Sequence, residues 1–247
     1  DIFQEQVRSD PASPSGLSTV YRGGLEPVIP IAESYRVNVA GDGVFDNLVT
    51  VPPGGSIPAY TLIVPRRNNG PIVQLDMATG RAISVQYTGF SGTRELDALR
   101  TWNRARNLAD FKRGLQWFDS GNQNFAYADA DGNIAYFAAS EVPLREDLQS
   151  GNVAGVPPWF IRSGQGGNEW LPLANPQPGQ AIPYEVLPAS EMPQLLNPPA
   201  GWFVNANNDP AGTVLDNNPL NTLRPDGGLY YLNAGYDMGL RAGRITE

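Results

Sequence analysis

The chain has 247 residues, enough for one large domain or two small ones with a sizeable core. Its net charge is −8 and its few basic side chains do not cluster, so we expect no nucleic-acid partner. No apolar run is long enough to span a bilayer, so we expect no membrane partner either. The high glycine and proline content favours a loop-rich, strand-rich fold.

Two missing residue types restrict the chemistry further. The chain has no cysteine, which excludes a thiol nucleophile and a thiolate metal site and fits an exported protein. It has no histidine, which excludes a Ser-His-Asp triad, histidine-bound zinc and a histidine general base within the chain. The single lysine, Lys112, lies in neither a Ser-x-x-Lys motif nor a phosphate-binding loop. An enzyme built on this chain uses unusual catalytic groups or lacks part of its machinery.

The first third of the chain is predicted to form short strands. Apolar runs that alternate with polar residues are separated there by proline, glycine and asparagine. The predicted strands are Asp1–Val7, Tyr35–Val39, Leu48–Val51, Tyr60–Val64, Ile72–Asp76 and Ile83–Tyr87. Their spacing predicts an antiparallel meander.

A change to helical periodicity follows and predicts two consecutive helices. Thr93 is a candidate N-cap for the first helix and Asn107 for the second. Within each helix the apolar positions recur three or four residues apart, at Leu96, Leu99 and Trp102 and then at Leu108, Phe111, Leu115 and Phe118. We interpret the aromatic residues among them as core anchors.

Residues 124–137 predict a β-hairpin. Two alternating aromatic runs flank Asp131-Gly132, a pair that is typical of tight hairpin turns. The spacing of Asp129 and Asp131 also suits a calcium loop, but an EF-hand needs glutamate at the twelfth position, which is Ser140 here. We therefore prefer the hairpin.

Beyond the hairpin the chain is mostly irregular. Residues 141–199 are dense in proline and glycine, and a second loop covers residues 209–226. Irregular segments of this length inside a domain are usually functional or covering loops. Residues 240–247 are typical of the first turns of a helix, and both ends of the chain look truncated.

Between these two loops, the apolar residues 202–204 predict a buried strand that ends in three asparagines, Asn205, Asn207 and Asn208. Asparagine is favoured at strand ends because its amide bonds the local backbone. An array of fixed, uncharged N–H donors is also what a developing oxyanion needs. Taken alone, the local pattern favours ordinary turn chemistry over such a donor array.

Several motifs follow one another in a recognisable order. They are Asp1-Ile2-Phe3 at the start of a strand, the tryptophan-bearing helices, Tyr127-Ala128-Asp129-x-Asp131-Gly132-Asn133-Ile134-x-Tyr136, Gly201-x-Phe203-Val204-Asn205-x-Asn207-Asn208-x-Pro210 and Arg241-Ala242-Gly243-Arg244-Ile245. This order resembles the β-chain of the penicillin acylase family, which also holds the acyl-homoserine-lactone acylases. The resemblance runs across nearly the whole chain.

The resemblance implies an α+β fold, the strand-rich portion of an αββα N-terminal-nucleophile hydrolase sandwich, with one helical hairpin and long Pro/Gly-rich loops. Members of the family mature by self-cleavage, and the serine at the start of their β-chain attacks an amide carbonyl. The α-amine of that serine acts as the base. An α-amine has a pKa near 8 and accepts a proton at neutral pH, so such an enzyme needs no histidine.

The resemblance also implies roles for individual residues. By position in the motifs, Asn207 resembles the oxyanion-hole side chain, and Arg244 resembles the arginine that the family places near the nucleophile and this asparagine. Asp1 resembles a carboxylate ligand of a structural calcium ion, Pro158 matches its backbone-carbonyl ligand, and Asp237 is expected to supply a further carboxylate. Hard oxygen ligands suit calcium. No organic cofactor is implied.

The chain departs from the family at its first residue. Family β-chains begin with serine, whereas this chain begins with Asp1, which cannot act as that nucleophile. We therefore predict that residues 1–247 are a single fragment of a β-chain, truncated at both ends and inactive alone. Its expected partners are the missing α-chain and β-chain segments, a small N-acyl amide in the parent protein and further copies of the fragment. The family and the lack of cysteine predict a periplasmic or secreted location.

Two other functions stay open at this point. The composition equally fits a non-catalytic, β-rich binding module with the aromatic loop around Trp159 and Trp170 as its contact surface. A glycosidase with paired carboxylates also fits the composition, but nothing in the sequence places two carboxylates together. The order of the motifs favours the acylase fragment over both.

Overall fold

Short strands account for most of the regular structure, and a few short helices follow them. The computed structural model describes residues 1–45, 47–54 and 58–247. The chain divides into two compact units, the first made of residues 1–87 and 160–166 and the second of residues 88–159 and 167–247. No helix in the described part of the chain has both the length and the apolar character needed to cross a membrane.

The elements are numbered in chain order. The strands are β1 (Ile2–Ser9), β2 (Leu17–Tyr21), β3 (Gly24–Pro27), β4 (Ile29–Ala32), β5 (Tyr35–Asn38), β6 (Leu48–Val51), β7 (Tyr60–Val64), β8 (Gly70–Asp76), β9 (Arg81–Val85), β10 (Gln123–Ala128), β11 (Ile134–Ala139), β12 (Ile161–Ser163) and β13 (Gln194–Leu196). The α-helices are α1 (Glu95–Trp102), α2 (Leu108–Leu115), α3 (Glu146–Gln149) and α4 (Leu240–Thr246). Single 3₁₀ turns occupy Pro65–Arg67 and Thr88–Phe90.

The first unit is built on a curled antiparallel sheet. Its strand order across the described residues is β3-β2-β1-β9-β8-β7-β4, and β12 adds to β1 in parallel. β1 is central because its two halves use different partners: residues 2–6 pair with β9, and residues 7–9 pair with β2. A register shift between Ile72 and Gln74 marks an irregularity in β8, the kind of feature that bends a strand.

Most of the predicted strands are confirmed in this unit. β6 and β7 have the predicted bounds, and β1, β5, β8 and β9 lie within two residues of them. The predicted meander is confirmed for the consecutive antiparallel strands β7, β8 and β9. The prediction missed β2, β3 and β4, because prolines and glycines interrupt the apolar pattern between residues 14 and 30. It also missed β12, which lies within the segment 141–199 that was expected to be irregular.

A buried ion pair lies in the sheet of the first unit. Glu5 and Arg67 are fully buried and bond through Arg67 Nε and Glu5 Oε1 at 2.8 Å. The same oxygen accepts a hydrogen bond from the Ser84 hydroxyl at 2.8 Å, and the Arg67 guanidinium stacks on the Phe3 ring at 3.4 Å. A buried charge needs such partners, because loss of one leaves the other uncompensated.

In the second unit an aromatic cluster holds the predicted helical pair. The Trp102 ring lies 5.3 Å from Phe111, 5.9 Å from Phe118 and 4.8 Å from Phe125, so the aromatic side chains are core anchors as predicted. Asn107 is confirmed as the N-cap of α2, since its side chain accepts the Asp110 N–H at 2.9 Å.

The first helix departs from its prediction in two details. Its N-cap is Arg94, one residue after Thr93, and it has no side-chain cap. Leu96 and Leu99 are exposed although they share the helical spacing of Trp102. The helix therefore packs through Ala98, which is fully buried, and through Trp102, whose indole ring enters the aromatic cluster.

The predicted hairpin is confirmed. β10 and β11 pair antiparallel from Gln123↔Ala139 to Ala128↔Ile134, and Gly132 has a φ of +85° in the turn. The Asp129 carboxylate accepts the N–H groups of Asp131 at 3.0 Å and Asn133 at 2.9 Å. It therefore acts in the turn, as the hairpin interpretation requires.

The strand predicted at residues 202–204 is wrong. These residues are irregular, and Trp202 is 54% exposed. Both sides of β11 are already paired, with β10 and β13, so this apolar run does not pair with β11. Phe203 instead packs its ring 6.1 Å from the Tyr136 ring.

A partly buried carboxylate fastens the long loop to the end of β11. Glu141 accepts the backbone N–H groups of Ala181 and Ile182, and its own N–H donates to the Asp119 carbonyl at 2.8 Å. Burial raises the pKa of Glu141 to about 7, with a smaller contribution from the Asp119 carboxylate. The two N–H donors and Arg94 act in the opposite direction.

Replacement of Gly114 by alanine is expected to destabilise the protein by about 1–3 kcal/mol, because overpacking displaces neighbouring side chains. A Cβ at this position would lie 2.2 Å from Trp102 Nε1, the atom that bonds the Phe111 carbonyl. Urea denaturation followed by tryptophan fluorescence measures the change. Gly243→Ala is the matched control: this helical glycine has open space around it, so alanine should be neutral or stabilise by up to about 1 kcal/mol. Equal effects of the two variants would contradict the packing argument.

Glu141→Gln should change the pH dependence of stability. The folded-state pKa is about 7, above the ordinary value of 4.5, so the folded protein binds this proton more tightly than the unfolded chain. The resulting stabilisation is fully present below about pH 4.5 and is lost as the pH rises through 7. The Tm difference between wild type and variant should therefore shift in favour of wild type as the pH falls from 8 to 5.5. Parallel Tm curves over this range would show that Glu141 does not carry the effect.

Candidate active site around Asn207

The loop at residues 205–208 is shaped by two of its three asparagines. Asn208 Oδ1 accepts the Ala206 N–H at 2.9 Å, and Asn205 Oδ1 accepts the Asn207 N–H at 3.4 Å. Asn207 itself has a left-handed backbone with a φ of +62°, which asparagine tolerates better than most residues. The turn chemistry is thus performed by the neighbours, and the exposed Asn207 side chain is not used for it.

The start of α4 meets this loop. The Asp237 N–H donates to the Asn207 carbonyl at 2.9 Å, which joins the two segments through their backbones. From the first turn of α4, Arg241 Nη2 lies 2.7 Å from the Ala206 carbonyl and 2.9 Å from Asn207 Oδ1. It also lies 3.1 Å from Asp237 Oδ2. The guanidinium therefore connects the loop, the Asn207 amide and the segment that precedes the helix.

This contact orients the Asn207 amide. A guanidinium has donors only, so the amide must present its oxygen to Arg241 and its nitrogen in the other direction. Nδ2 makes no hydrogen bond within the described part of the chain, and it therefore presents two N–H donors. An uncharged donor that is fixed before the reaction stabilises a developing oxyanion without reorganisation.

A cavity of about 400 Å³ opens beside Asn207 within the second unit. Its polar wall is formed mainly by the amides of Asn122, Gln123, Asn124, Asn207, Asn208 and Asn233. Its apolar wall includes Ala138, Val142, Met192 and Leu232. The Asp237 carboxylate, which pairs with Arg241, also lines the cavity. A pocket with apolar walls and mainly uncharged hydrogen-bonding groups is suited to a small polar molecule such as an amide.

The tyrosines at this cavity cannot serve as bases at neutral pH. Tyr236 lines the cavity, and burial is the largest factor that raises its pKa above the usual value. The neighbouring Tyr136 donates its hydroxyl to the cavity residue Asn124 at 2.5 Å, and burial raises its pKa to about 12. Both hydroxyls stay protonated, so they can only donate or accept neutral hydrogen bonds.

The structure places Arg244 away from the contact that its motif position implied. Its guanidinium pairs with Glu247, three residues further along α4, and the side chain is 82% exposed. Arg241 makes the contact with Asn207 instead. The Arg-x-x-Arg spacing was visible in the sequence, but nothing local to it distinguishes the two arginines.

Two of the three residues implied as calcium ligands, Asp1 and Asp237, make other hydrogen bonds in the structure. Asp1 precedes β1 in the first unit, where its carbonyl accepts the Gln86 N–H at 2.9 Å, and Pro158 is buried in the second unit. The Asp237 carboxylate bonds Arg241 and the Gly239 N–H. The described residues contain no group of three or more acidic side chains that could hold a metal ion. Calcium stays a prediction.

Comparison with known proteins identifies the relatives of this chain. The sequence model of the penicillin amidase family matches residues 1–247. The chain belongs to the penicillin amidase family. This membership confirms the resemblance that was drawn from the order of the motifs.

A solved structure supports the fold of this penicillin amidase family member. A thermostable penicillin G acylase from Alcaligenes faecalis superposes with a TM-score of 0.58 and 22% sequence identity over 100% of this chain. At that identity the similarity shows the fold alone. The chain spans only 36% of the length of that acylase chain, so the strand-rich architecture corresponds to part of the larger fold.

Proposed function

We propose that this chain forms part of an amidohydrolase that cleaves N-acyl amide bonds by acyl transfer to an N-terminal serine. The observation that carries the proposal is the Asn207 amide, whose oxygen is held by Arg241 while its nitrogen is left as a donor beside a cavity lined mainly by uncharged side chains. Membership of the penicillin amidase family supports the reaction class. The serine is not part of this chain and would come from the parent protein.

In the proposed reaction the serine hydroxyl attacks the amide carbonyl carbon, and the α-amine of the same serine takes the hydroxyl proton. The carbonyl oxygen becomes an oxyanion, to which Asn207 Nδ2 donates a hydrogen bond. The C–N bond then breaks, and the proton passes from the ammonium to the leaving amine. Water hydrolyses the acyl ester and regenerates the serine. Asn207 therefore acts only through charge stabilisation.

The chemistry of this chain is consistent with a base supplied from elsewhere. The chain has no histidine, and the tyrosines beside the cavity stay protonated at neutral pH. An α-amine with a pKa near 8 can fill that role. It follows that the chain alone should not hydrolyse amides. Arg244 is proposed as a cationic group that lies near the reacting atoms in the parent enzyme.

The proposed parent enzyme contributes the missing α-chain and β-chain segments. Exposed apolar side chains on strands of the first unit, including Ile31 and Val73, support a covered sheet surface in a larger protein or in an oligomer of this chain. A periplasmic or secreted location and a structural calcium ion at Asp1, Pro158 and Asp237 complete the proposal. Both rest on the family resemblance.

In the parent enzyme, Asn207→Ala should lower kcat about 10²–10³-fold with little change in KM, because it removes one oxyanion donor. Asn207→Gly should have the same effect, and glycine accepts the left-handed φ of +62° without the strain that alanine brings. Hydrolysis of a chromogenic N-acyl amide measures both parameters.

Asn217→Ala is the matched control, since Asn217 has a φ of +64° and does not line the cavity beside Asn207. Its kcat should stay at the wild-type value. Unchanged turnover in both Asn207 variants would remove Asn207 from the mechanism. Turnover by the isolated 247-residue chain would contradict the need for an external nucleophile. A parent protein without amidase activity would support the alternative, a non-catalytic binding module.

Calcium should raise the Tm of the parent protein, because a ligand that binds only the folded form stabilises it by RT ln(1 + [L]/Kd). Thermal melting with excess Ca²⁺ and with a chelator measures the effect. Asp237→Asn should reduce the difference, whereas Asp131→Asn, in the hairpin turn, should leave it unchanged. Identical melting curves with Ca²⁺ and chelator would rule out the site.

A further inference from the structure

We propose that Arg241 is a positioning residue for Asn207 and that Asp237 holds Arg241 in place. The inference rests on the proposed role of Asn207 as the oxyanion donor and adds the device that fixes its amide. Arg241 acts through Asn207 and is not itself assigned a contact with substrate.

The guanidinium group of Arg241 lies within hydrogen-bond distance of three acceptor oxygens. Nη2 has two hydrogens and lies within 3.1 Å of three acceptors, so at least one of its hydrogen bonds is shared. Nε adds a longer contact of 3.3 Å to Asp237 Oδ2. Asp237 precedes α4, and the left-handed Gly239 turns the chain between Asp237 and the first helical turn, which carries Arg241. The carboxylate thus fixes the position from which the guanidinium reaches the loop.

The charge on Arg241 selects one orientation of the Asn207 amide. A half-turn of the amide would place Nδ2 against the guanidinium, donor against donor, with no hydrogen bond formed. The observed orientation satisfies Oδ1 at 2.9 Å and leaves Nδ2 available. A cation on the carbonyl oxygen also polarises the amide and strengthens its N–H donors, as expected for hydrogen bonds in a chain. Loss of the guanidinium should therefore impair the donor without removing it.

The contact contributes little to stability, which makes it testable. The Arg241 side chain is 59% exposed, and exposed ion pairs of this spacing are weak. Variants at this position should consequently fold with a Tm close to that of wild type. A loss of activity in such variants would come from the site rather than from unfolding.

The test uses the parent enzyme with Arg241→Gln, Arg241→Lys and Asp237→Asn. Arg241→Gln should lower kcat about 10-fold, less than the ~10²–10³-fold cost of removing a donor, with KM and Tm unchanged. Arg241→Lys should recover part of this loss, since an ammonium can still bond Asn207 Oδ1. Asp237→Asn should lower kcat in the same direction by a smaller factor. Arg100→Gln, at an exposed position of α1, is the matched control and should keep the wild-type kcat.

A double variant separates positioning from an independent role. If Arg241 acts through Asn207, Arg241→Gln should cost nothing further once Asn207 is glycine, whereas independent contributions would multiply. Multiplying effects, or a wild-type kcat in Arg241→Gln, would overturn this inference while a low kcat in Asn207→Gly still supports the proposed function. A wild-type kcat in Asn207→Gly would instead overturn the proposed function and this inference together.

Discussion

The irregular second unit depends on side-chain oxygens that accept hydrogen bonds from backbone N–H groups. A chain with little regular structure must satisfy these donors in some other way, because an unpaired buried N–H is costly. The Asp209 carboxylate accepts the partly buried N–H of Val214 at 2.8 Å. The Asp147 carboxylate accepts the partly buried N–H of Ala154 at 2.9 Å. Many carboxylates of this acidic chain are thus structural acceptors. That use weakens the glycosidase interpretation, which needs two of them placed around a substrate.

The same need to satisfy backbone N–H groups explains the arrangement of the asparagine loop at residues 205–208. Asn205 and Asn208 accept hydrogen bonds from backbone N–H groups of the loop, so the Asn207 side chain is not needed as an acceptor for them. Its left-handed φ and its backbone bond to Asp237 fix where the side chain begins, and Arg241 fixes how the amide is turned. The turn interpretation therefore applies to Asn205 and Asn208, and the proposed oxyanion donor is a different residue of the same cluster.

The sequence predicts strands and helix caps that depend on neighbouring residues. It does not predict pairings and contacts that depend on segments far away in the chain. β7 and the Asn107 cap follow from local patterns and are confirmed. The apolar run at residues 202–204 has a strand pattern, but β13, which comes earlier in the chain, already pairs with the available edge of β11. Likewise, Arg241 contacts Asn207 because Asp237 and Gly239 set the start of α4. This contact joins residues that are 34 positions apart in the chain, so no local pattern predicts it.

Helix geometry reconciles the observed role of Arg241 with the role that the family resemblance gives to Arg244. Residues three apart on an α-helix lie about 4.5 Å apart along the axis and on nearly the same side. Arg244 is therefore about one turn beyond Arg241 along α4, although its side chain is exposed and does not contact the Asn207 loop in this structure. Its pair with Glu247 is solvent-exposed, and such pairs are worth only about 0–1 kcal/mol. Arg244 can leave Glu247 at little cost when a stronger anionic partner arrives, whereas Arg241 has several acceptors to give up. In the proposed mechanism, α4 therefore carries one arginine that positions the donor and, one turn further on, a second that lies near the reacting group.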